Sequence, residues 1–494
     1  MAEDQGWGLS SVAEAPNEDW KHWVEKQLGR TDHNEWRWVE LMEKFCGQSG
    51  PTIFKLESRL QSEFKIEVDE HTDDRDLLPA VRAVTIGPYH RNCKHPLKFN
   101  DDYKWKVIRY MVRERSFNPI SFLEEMEKKE EIARKCYDEN FPELQSKDFR
   151  VMLMLDGAFI VFALDAFGNR DLRSEYLMDY MGLHIEVWRS MKQIKLDFLM
   201  LNNQIPLFAI EQLYAAIGGF PRNFGEVVLS CFDDLHPKRN LNRRIKNYSG
   251  GYIEFHHLLH LFHWSRVPEG KYRMDLDLWF PEDKYGEDVR LQLYKKNDLP
   301  LYIPSATELL KSSTVFRKKT LDCLLDITFE DGLTEISAEM NIPTLHLYDY
   351  SKHVFSNLIA FETNYTGNGR CVTAYSMCMS RILQNEDDAR LLRRRGILAN
   401  TNYKDADAVK FFENLISRQV EGQVMPDDLL QLCTRVTEHH KRRISNCYGE
   451  LKLRYFPNPW ITFSLVGAFV LFLLSLLQTI YTVLGYYQTI RTTK

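Results

Sequence analysis

The stretch "FHHLLHLFHW", Phe255–Trp264, sets His256, His260 and His263 at helical spacing beside Phe255, Leu258, Leu259 and Phe262. Wound as a helix, the three imidazoles fall within about 60° of arc on one face. Metal chemistry would need ligand nitrogens about 2.0–2.1 Å from the ion. Residues i and i+4 can share an ion, but i+7 lies about 10 Å further along the axis. A straight helix therefore cannot bring all three to one metal, and no H-E-x-x-H glutamate accompanies them. The pattern reads as imidazoles at the boundary of a core. Asp156 in "LMLDGAFIV" is the other candidate, a buried acid whose pKa would rise if nothing paired it. An aspartate so placed is expected to be paired or to accept from nearby backbone. Asn202-Asn203-Gln204, just before Ile205-Pro206, could hold a ligand amide, but their expected task is to satisfy backbone groups freed where the proline breaks a helix. The chain has no G-x-S-x-G elbow, no phosphate-binding G-x-x-x-x-G-K-[ST] and no G-x-G-x-x-G. No catalytic residue, cofactor or metal ligand is assigned.

The elements that carry these residues follow from periodicity. Two amphipathic helices are expected in the opening segment, 1–50, one aligning Trp20, Trp23, Val24 and Leu28, the other Trp38, Leu41, Met42 and Phe45. "DDYKWKVIRYMVRERS" aligns Trp105, Ile108 and Val112. Phe149–Gly168 is the most apolar stretch before the C-terminus, and Asp156 and Asp165 interrupt it too soon for a membrane span, so it reads as a central core helix. Ile194–Ile217 is similar, divided at Asn202, Asn203 and Pro206. From Cys231 to Pro300 the pattern weakens and reads as a variable, surface-exposed insertion around one short helix. Ser305 and Glu308 form a capping-box signature, and Asp331-Gly332 stands between two alternating runs as a hairpin signal. The expected architecture is mainly α: a large helical body over 51–455 with a small antiparallel β element, then one C-terminal transmembrane helix.

That last helix is the clearest feature of the chain. Pro459–Tyr487 contains no charged side chain, and Ile461–Ile480 is almost wholly Leu, Phe, Val, Ala and Ile. About 20 residues at 1.5 Å each span about 30 Å, the hydrocarbon thickness of a bilayer. Trp460, Ile461, Phe463, Leu465, Phe469, Leu471, Leu474, Leu477, Ile480 and Tyr481 are assigned to the anchor, which with its flanks covers 456–487 and leaves a short tail, 488–494. Lys441, Arg442, Arg443, Lys452 and Arg454 precede it and Arg491 and Lys494 follow, so the positive-inside rule puts the body in the cytosol. The short tail suits insertion as a tail anchor. Asn247-Tyr-Ser249 and Asn364-Tyr-Thr366 are glycosylation sequons, read here as chance matches.

Composition agrees. A mean hydropathy of −0.40 despite the apolar ending makes the rest polar. A formal net charge of −6 lacks the basic footprint of a general nucleic-acid binder, and "RLLRRRG" reads as a solvated helix face. Nine cysteines are dispersed without a C-x-x-C pair, which fits free thiols in a reducing compartment. The N-terminus has no apolar h-region and is not a signal peptide.

Several segments recur together in one family: "TIFKLESRL", "AVRAVTIGPYHR", "DDYKWKVIRYMVRE", "ARKCYDE", "MLMLDGAFIV", "DFLMLNNQIPLFAIEQLY", "IPSATELLKSSTVFRKK", "LDITFEDGLTEI", "NLIAFE", "LLRRRGILAN" and the ending "YFPNPWITFSLVGAFVLFLLSLLQTIYTV". From about Pro51 to Tyr487 the chain closely resembles the plant proteins grouped as domain of unknown function 247. It departs from their pattern at Asn202, where a Glu is usual, at Arg91, where a second His is usual, and at Glu362-Thr363, where Glu-Gln is usual. The resemblance implies a plant protein held to a membrane by its C-terminal helix, without an established enzymatic activity. Some grass members are implicated in pollen self-incompatibility and others in defence or reproductive barriers. The expected function is a membrane-tethered recognition protein at the plasma membrane or an endomembrane. Its expected partners are the bilayer and a protein, either a second copy or a small secreted peptide; nucleic acid is not expected. The alternative is a membrane-associated enzyme using Asp156 or the histidine helix.

Overall fold

The computed structural model describes residues 51–55, 82–91, 97–168, 181–218, 223–237, 255–267, 303–319, 326–332, 336–365, 370–399, 403–416, 427–455 and 459–492. The N-terminal amphipathic helices expected within 1–50, and most of the insertion expected over 231–300, lie outside these residues. The described residues form sixteen helices and one three-stranded sheet, a mainly α fold. They fall into two compact units. The first comprises those within Met1–Leu291 and Tyr348–Thr373, and the second those within Gln292–Thr320, Asp326–Leu347 and Ala374–Lys494.

The first unit is built around one helix. Helices α1 (Asp101–Arg115), α2 (Pro119–Lys135), α4 (Met181–Arg189), α6 (Leu207–Ile217) and α7 (Phe224–Cys231) surround α3 (Ser146–Gly168), in which every residue from 149 to 164 is buried. Local chemistry starts and stops the shell. Asn100 caps α1 by accepting from the Tyr103 N–H, and Arg113 and Arg115 sit at its C-terminal end. Asn118 caps α2, whose first residue is Pro119. The buried face of α1 runs through Tyr103, Lys104, Val107, Ile108 and Met111, while Trp105 and Val112 are half-buried. The stripe expected through Trp105, Ile108 and Val112 is thus turned by about a residue, because a lysine occupies a core position. Pro206 separates α5 (Met191–Asp197) from α6 as expected. The histidine stretch forms α8 (Leu258–Arg266), which packs on α7 and on α10 (Ser351–Asn364).

The second unit opens with α9 (Ala306–Lys311), whose capping box pairs Ser305 and Glu308 reciprocally. Strands β1 (Thr314–Lys319), β2 (Thr328–Asp331) and β3 (Ala338–Pro343) lie in the order β1-β3-β2. The β2–β3 pair is the hairpin expected at Asp331-Gly332, closed by the Gly332 N–H donating to the Ser337 carbonyl at 2.8 Å. The wholly antiparallel sheet is corrected, since β1 and β3 run parallel with Thr314 opposite Ala338. Strand β2 runs against both, so the chain changes direction once between β1 and β2 and again at the hairpin, and β3 returns in the direction of β1. Helices α11 (Cys371–Ile382), α12 (Glu386–Arg394), α13 (Asp405–Ile416), α14 (Asp427–Lys441) and α15 (Arg443–Tyr455) follow, and α16 (Pro459–Thr492) ends the described chain.

Candidate functional site

Asp156 sits at the middle of α3, with no solvent exposure. Its carboxylate is fully engaged. Lys104, also unexposed, donates from Nζ to Asp156 Oδ1 at 2.5 Å and to the Thr85 carbonyl at 2.7 Å. Asp156 Oδ2 accepts from the Gly87 N–H at 2.8 Å and lies 3.8 Å from Arg91 Nη1. The other end of the Arg91 guanidinium meets Asp101 at 2.6 Å, so the network ends at a half-exposed carboxylate on α1. A buried charge is tolerated only when paired and hydrogen-bonded, and this pair meets both conditions.

The loop 82–91 that delivers Thr85, Gly87 and Arg91 has little secondary structure, and side chains from the helices take up its backbone groups. Asp197 accepts from the N–H groups of Arg82, Ala83 and Val84 at 3.3, 2.8 and 3.0 Å. Burial still pushes the Asp197 pKa up to about 6 against these donors. Asn203 accepts from the Ile86 N–H at 2.7 Å and donates to the carbonyls of Val84 and Asp197. Gln204 donates to the carbonyls of Phe198 and Met200, both at 2.7 Å. The amides before the proline thus do the backbone work expected of them. Gly87 has φ +74°, and a Cβ there would collide with the Gln204 carbonyl oxygen, so only glycine fits this close approach. His90 and Asn202 are buried beside this lock. His90 Nε2 and Asn202 Oδ1 have no hydrogen-bond partner, and burial lowers the His90 pKa, with Asn202 opposing the shift.

The histidines form a second buried cluster. His256 precedes α8 and His257 caps it, so the single helical face expected for His256, His260 and His263 is not formed. His260 and His263 do not lie at a core boundary, since every residue of α8 is buried, whereas His256 before it is half-buried. His257 Nδ1 accepts from the His260 N–H at 3.2 Å, and its Nε2 hydrogen-bonds the Thr52 carbonyl at 3.1 Å. His260 Nδ1 accepts from the His256 N–H at 3.3 Å, and His256 Nε2 shares a hydrogen bond with the Tyr365 hydroxyl at 3.1 Å. His263 Nε2 lies 2.7 Å from Glu362 Oε1, and Glu362 also accepts from the N–H groups of Val372 and Thr373 at 2.9 and 2.7 Å. A backbone N–H can only donate, so Nδ1 of His257 and of His260 must be unprotonated. Burial lowers the pKa of His256 to about 4 and of His257 to about 3, and it also lowers that of His260. These imidazoles act as backbone acceptors and packing groups. Among the described residues no group of His, Cys, Asp or Glu is arranged to hold a metal ion.

The anchor residues lie on α16, within or beside Phe463–Leu484, a segment of 22 residues with mean hydropathy 2.2. It is long and apolar enough to cross a membrane. Phe463, Leu471 and Tyr481 are 72, 68 and 72% exposed, and no part of the segment is buried against the protein.

A family described as plant protein of unknown function matches residues 68–474. The chain belongs to this family. It is 25% identical over 417 residues to the UPF0481 protein At3g47200 of Arabidopsis thaliana, covering 82% of this chain and 83% of the relative. A second UPF0481 protein of that plant, At3g02645, is 22% identical over 406 residues, 67% of this chain and 74% of its own. No solved structure matches. In this plant-family chain the segments that carry the resemblance converge in space: "AVRAVTIGPYHR" supplies the loop, "DDYKWKV" Lys104, "MLMLDGAFIV" Asp156 and "DFLMLNNQIP" Asp197, Asn203 and Gln204. Two departures from the family pattern, Arg91 and Asn202, fall on this loop and this turn. Sequence reasoning singled out Asp156 but missed Lys104, Arg91 and Asp197. The available signal was a lysine at an i, i+3, i+4, i+7 position of an apolar helix face.

Proposed function

We propose that this plant-family chain is a membrane-tethered recognition protein without catalytic activity, in which Phe463–Leu484 crosses the bilayer once and the folded units stand in the cytosol, at the plasma membrane or an endomembrane. The observation that carries this reading is the helix α16, apolar on every side yet covered by nothing in the chain. A helix hydrophobic all round requires an apolar solvent, and 22 residues rise about 33 Å, matched to about 30 Å of hydrocarbon. Tethering raises the effective concentration of the units toward proteins on the same surface, so modest contact energies suffice for recognition. Two further features support the reading. The buried ionisable groups of the first unit are committed to holding loops and helix ends, and the Asn364 side chain of one sequon donates to the Ala360 carbonyl within α10, at 2.8 Å.

The experiment is expression of the full chain in plant cells, with a proximity-labelling enzyme at its N-terminus, beside a chain ending at Asn458. The full chain is expected to stay with membranes in alkaline carbonate, to show no glycosidase shift and to label cytosolic-face proteins that the shortened chain does not. A glycosidase shift abolished by Asn247→Gln and Asn364→Gln puts the units outside the cytosol. Identical labelling by both chains removes the tether from the function.

A further inference from the structure

Helix α15 (Arg443–Tyr455) is packed the wrong way round for a soluble protein. Among its described side chains, those of residues 443–451, the buried positions are Ser445 and Gly449, four residues apart on one stripe. Gly449 fits so closely on the end of α9 that an added Cβ would collide with the Lys311 carbonyl oxygen and lie 2.7 Å from Ser313 N. The small residues therefore face the unit. Ile444, Cys447, Tyr448 and Leu451, at i, i+3, i+4 and i+7, share the opposite stripe. Ile444 is 68% exposed, and Tyr448 and Leu451 are each 43% exposed. A helix that hides a serine and a glycine and presents isoleucine, tyrosine and leucine has an apolar face meant for something outside the unit.

Two observations identify what covers it. First, α15 ends at Tyr455 and α16 begins at Pro459. Three residues, 456–458, separate them, so Tyr455 and Pro459 stand at most about 14 Å apart, and Phe463, where the apolar span begins, lies about 6 Å further along α16. A chain whose α16 spans a bilayer must therefore hold the end of α15 within about 20 Å of the membrane's edge. Second, the segment Lys441–Tyr455, "KRRISNCYGELKLRY", holds five basic residues, Lys441, Arg442, Arg443, Lys452 and Arg454, against one acidic residue, Glu450. Lys441 and Arg443 are exposed, and Arg442 meets the Asp331 carboxylate at 3.3 Å. An exposed apolar stripe bordered by basic side chains is what lies in the headgroup layer of an anionic membrane, with its apolar face about 5–10 Å deep.

We propose that α15 is a second membrane contact, an in-plane amphipathic helix whose Ile444–Cys447–Tyr448–Leu451 face enters the headgroup region of anionic lipid. It fixes the second unit against the bilayer by a rigid face where a flexible linker would leave it free to swing. The proposal rests on the reading that α16 spans the membrane, and the test keeps the two apart. The full chain is reconstituted into phosphatidylcholine vesicles with and without phosphatidylserine, each carrying a trace of photoactivatable phosphatidylcholine with its diazirine near the headgroup end of the acyl chain. Adducts are located by peptide mass spectrometry, and alkylation of Cys447 by a charged maleimide is read on the same peptides. The expected result is lipid adducts on Ile444–Leu451 as well as on α16, with Cys447 alkylated several-fold more slowly when phosphatidylserine is present. The pair Ile444→Asp and Leu451→Asp, at exposed positions, should abolish the α15 adducts and keep those on α16. Adducts confined to α16 overturn the proposal and leave the span intact, whereas adducts on neither helix overturn the span as well. Protection of Cys447 that grows with protein density, without lipid adducts on α15, assigns the face to a second copy and also overturns it.

Discussion

Lys104 and Asp156 each lack solvent, and each supplies the other's counter-charge. Taking one away strands a charge in the interior, which costs about 3–5 kcal/mol, whereas removing both restores neutrality. Lys104→Met and Asp156→Asn are therefore each expected to lower the stability of the first unit by about that amount, and the double variant by clearly less than their sum. Urea unfolding of the detergent-solubilised chain measures this; strictly additive losses would show that the two charges act independently. The pair also marks what sequence reading reaches. Asp156 stands out because it interrupts the middle of an apolar helix, and its need for a partner follows from burial. The identity of that partner does not, since Lys104 lies 52 residues away and is brought close only by the packing of α1 on α3. His263 and Glu362, separated by 99 residues, were hidden for the same reason.

Elements whose determinants are local were legible. Helix α3 has its apolar run, α6 its proline boundary and α9 its capping box, and all three stand where periodicity and capping residues place them. The parallel pairing of β1 with β3 was not legible, because either edge of β3 satisfies the same alternating pattern. The burial of α8 escaped for another reason: Leu258–Arg266 is enclosed on every side, polar residues included, so its amphipathic appearance points to an exposed face that does not exist. The basic run of α12 reads correctly, with Arg390 and Arg394 exposed and Arg393 paired with Asp405 at 2.9 Å. On the same helix the buried Asp388 accepts from the Gln384 and Asn385 N–H groups before α12 and from the Thr307 N–H in the first turn of α9. One carboxylate thus caps two helices. Asp388→Ala is expected to destabilise the second unit by about 2–3 kcal/mol, more than a single cap, because three backbone N–H donors at two helix starts lose their acceptor. Hydrogen exchange at Thr307 and Asn385 should rise together. Exchange at Asn385 alone would confine the residue to its own helix.

Across the whole molecule, the concentration of neutral imidazoles in the first unit gives stability a direction with pH. His256 and His257, with pKa values lowered to about 4 and about 3, and His260, also lowered, are bases depressed by burial. The unfolded chain binds protons at these positions near pH 6.5 and the folded chain does not. Their contribution is therefore present above pH 6.5 and lost as pH falls toward 4. A depression from 6.5 to about 4 corresponds to on the order of 3 kcal/mol for one group. Asp197, raised to about 6, acts in the opposite sense: its contribution is present at low pH and is lost as pH rises through 6. Asp165, also raised by burial, acts in the same sense as Asp197, and these carboxylates are outweighed by several imidazoles, so the first unit should lose stability steadily from pH 7 to pH 5. The geometry gives the same sign without reference to pKa, because protonating Nδ1 of His257 or of His260 removes the acceptor of a backbone N–H at the start of α8. Around the cluster, the Tyr365 hydroxyl meets His256 and the Glu362 carboxylate meets His263. His257→Asn separates the cap from the titration, since asparagine is a good N-cap and carries no proton in this range. That variant should keep its fold at pH 7 and show a shallower loss of unfolding midpoint toward pH 5 than the parent chain. An unchanged slope would mean that His257 is not among the groups that couple this fold to acid.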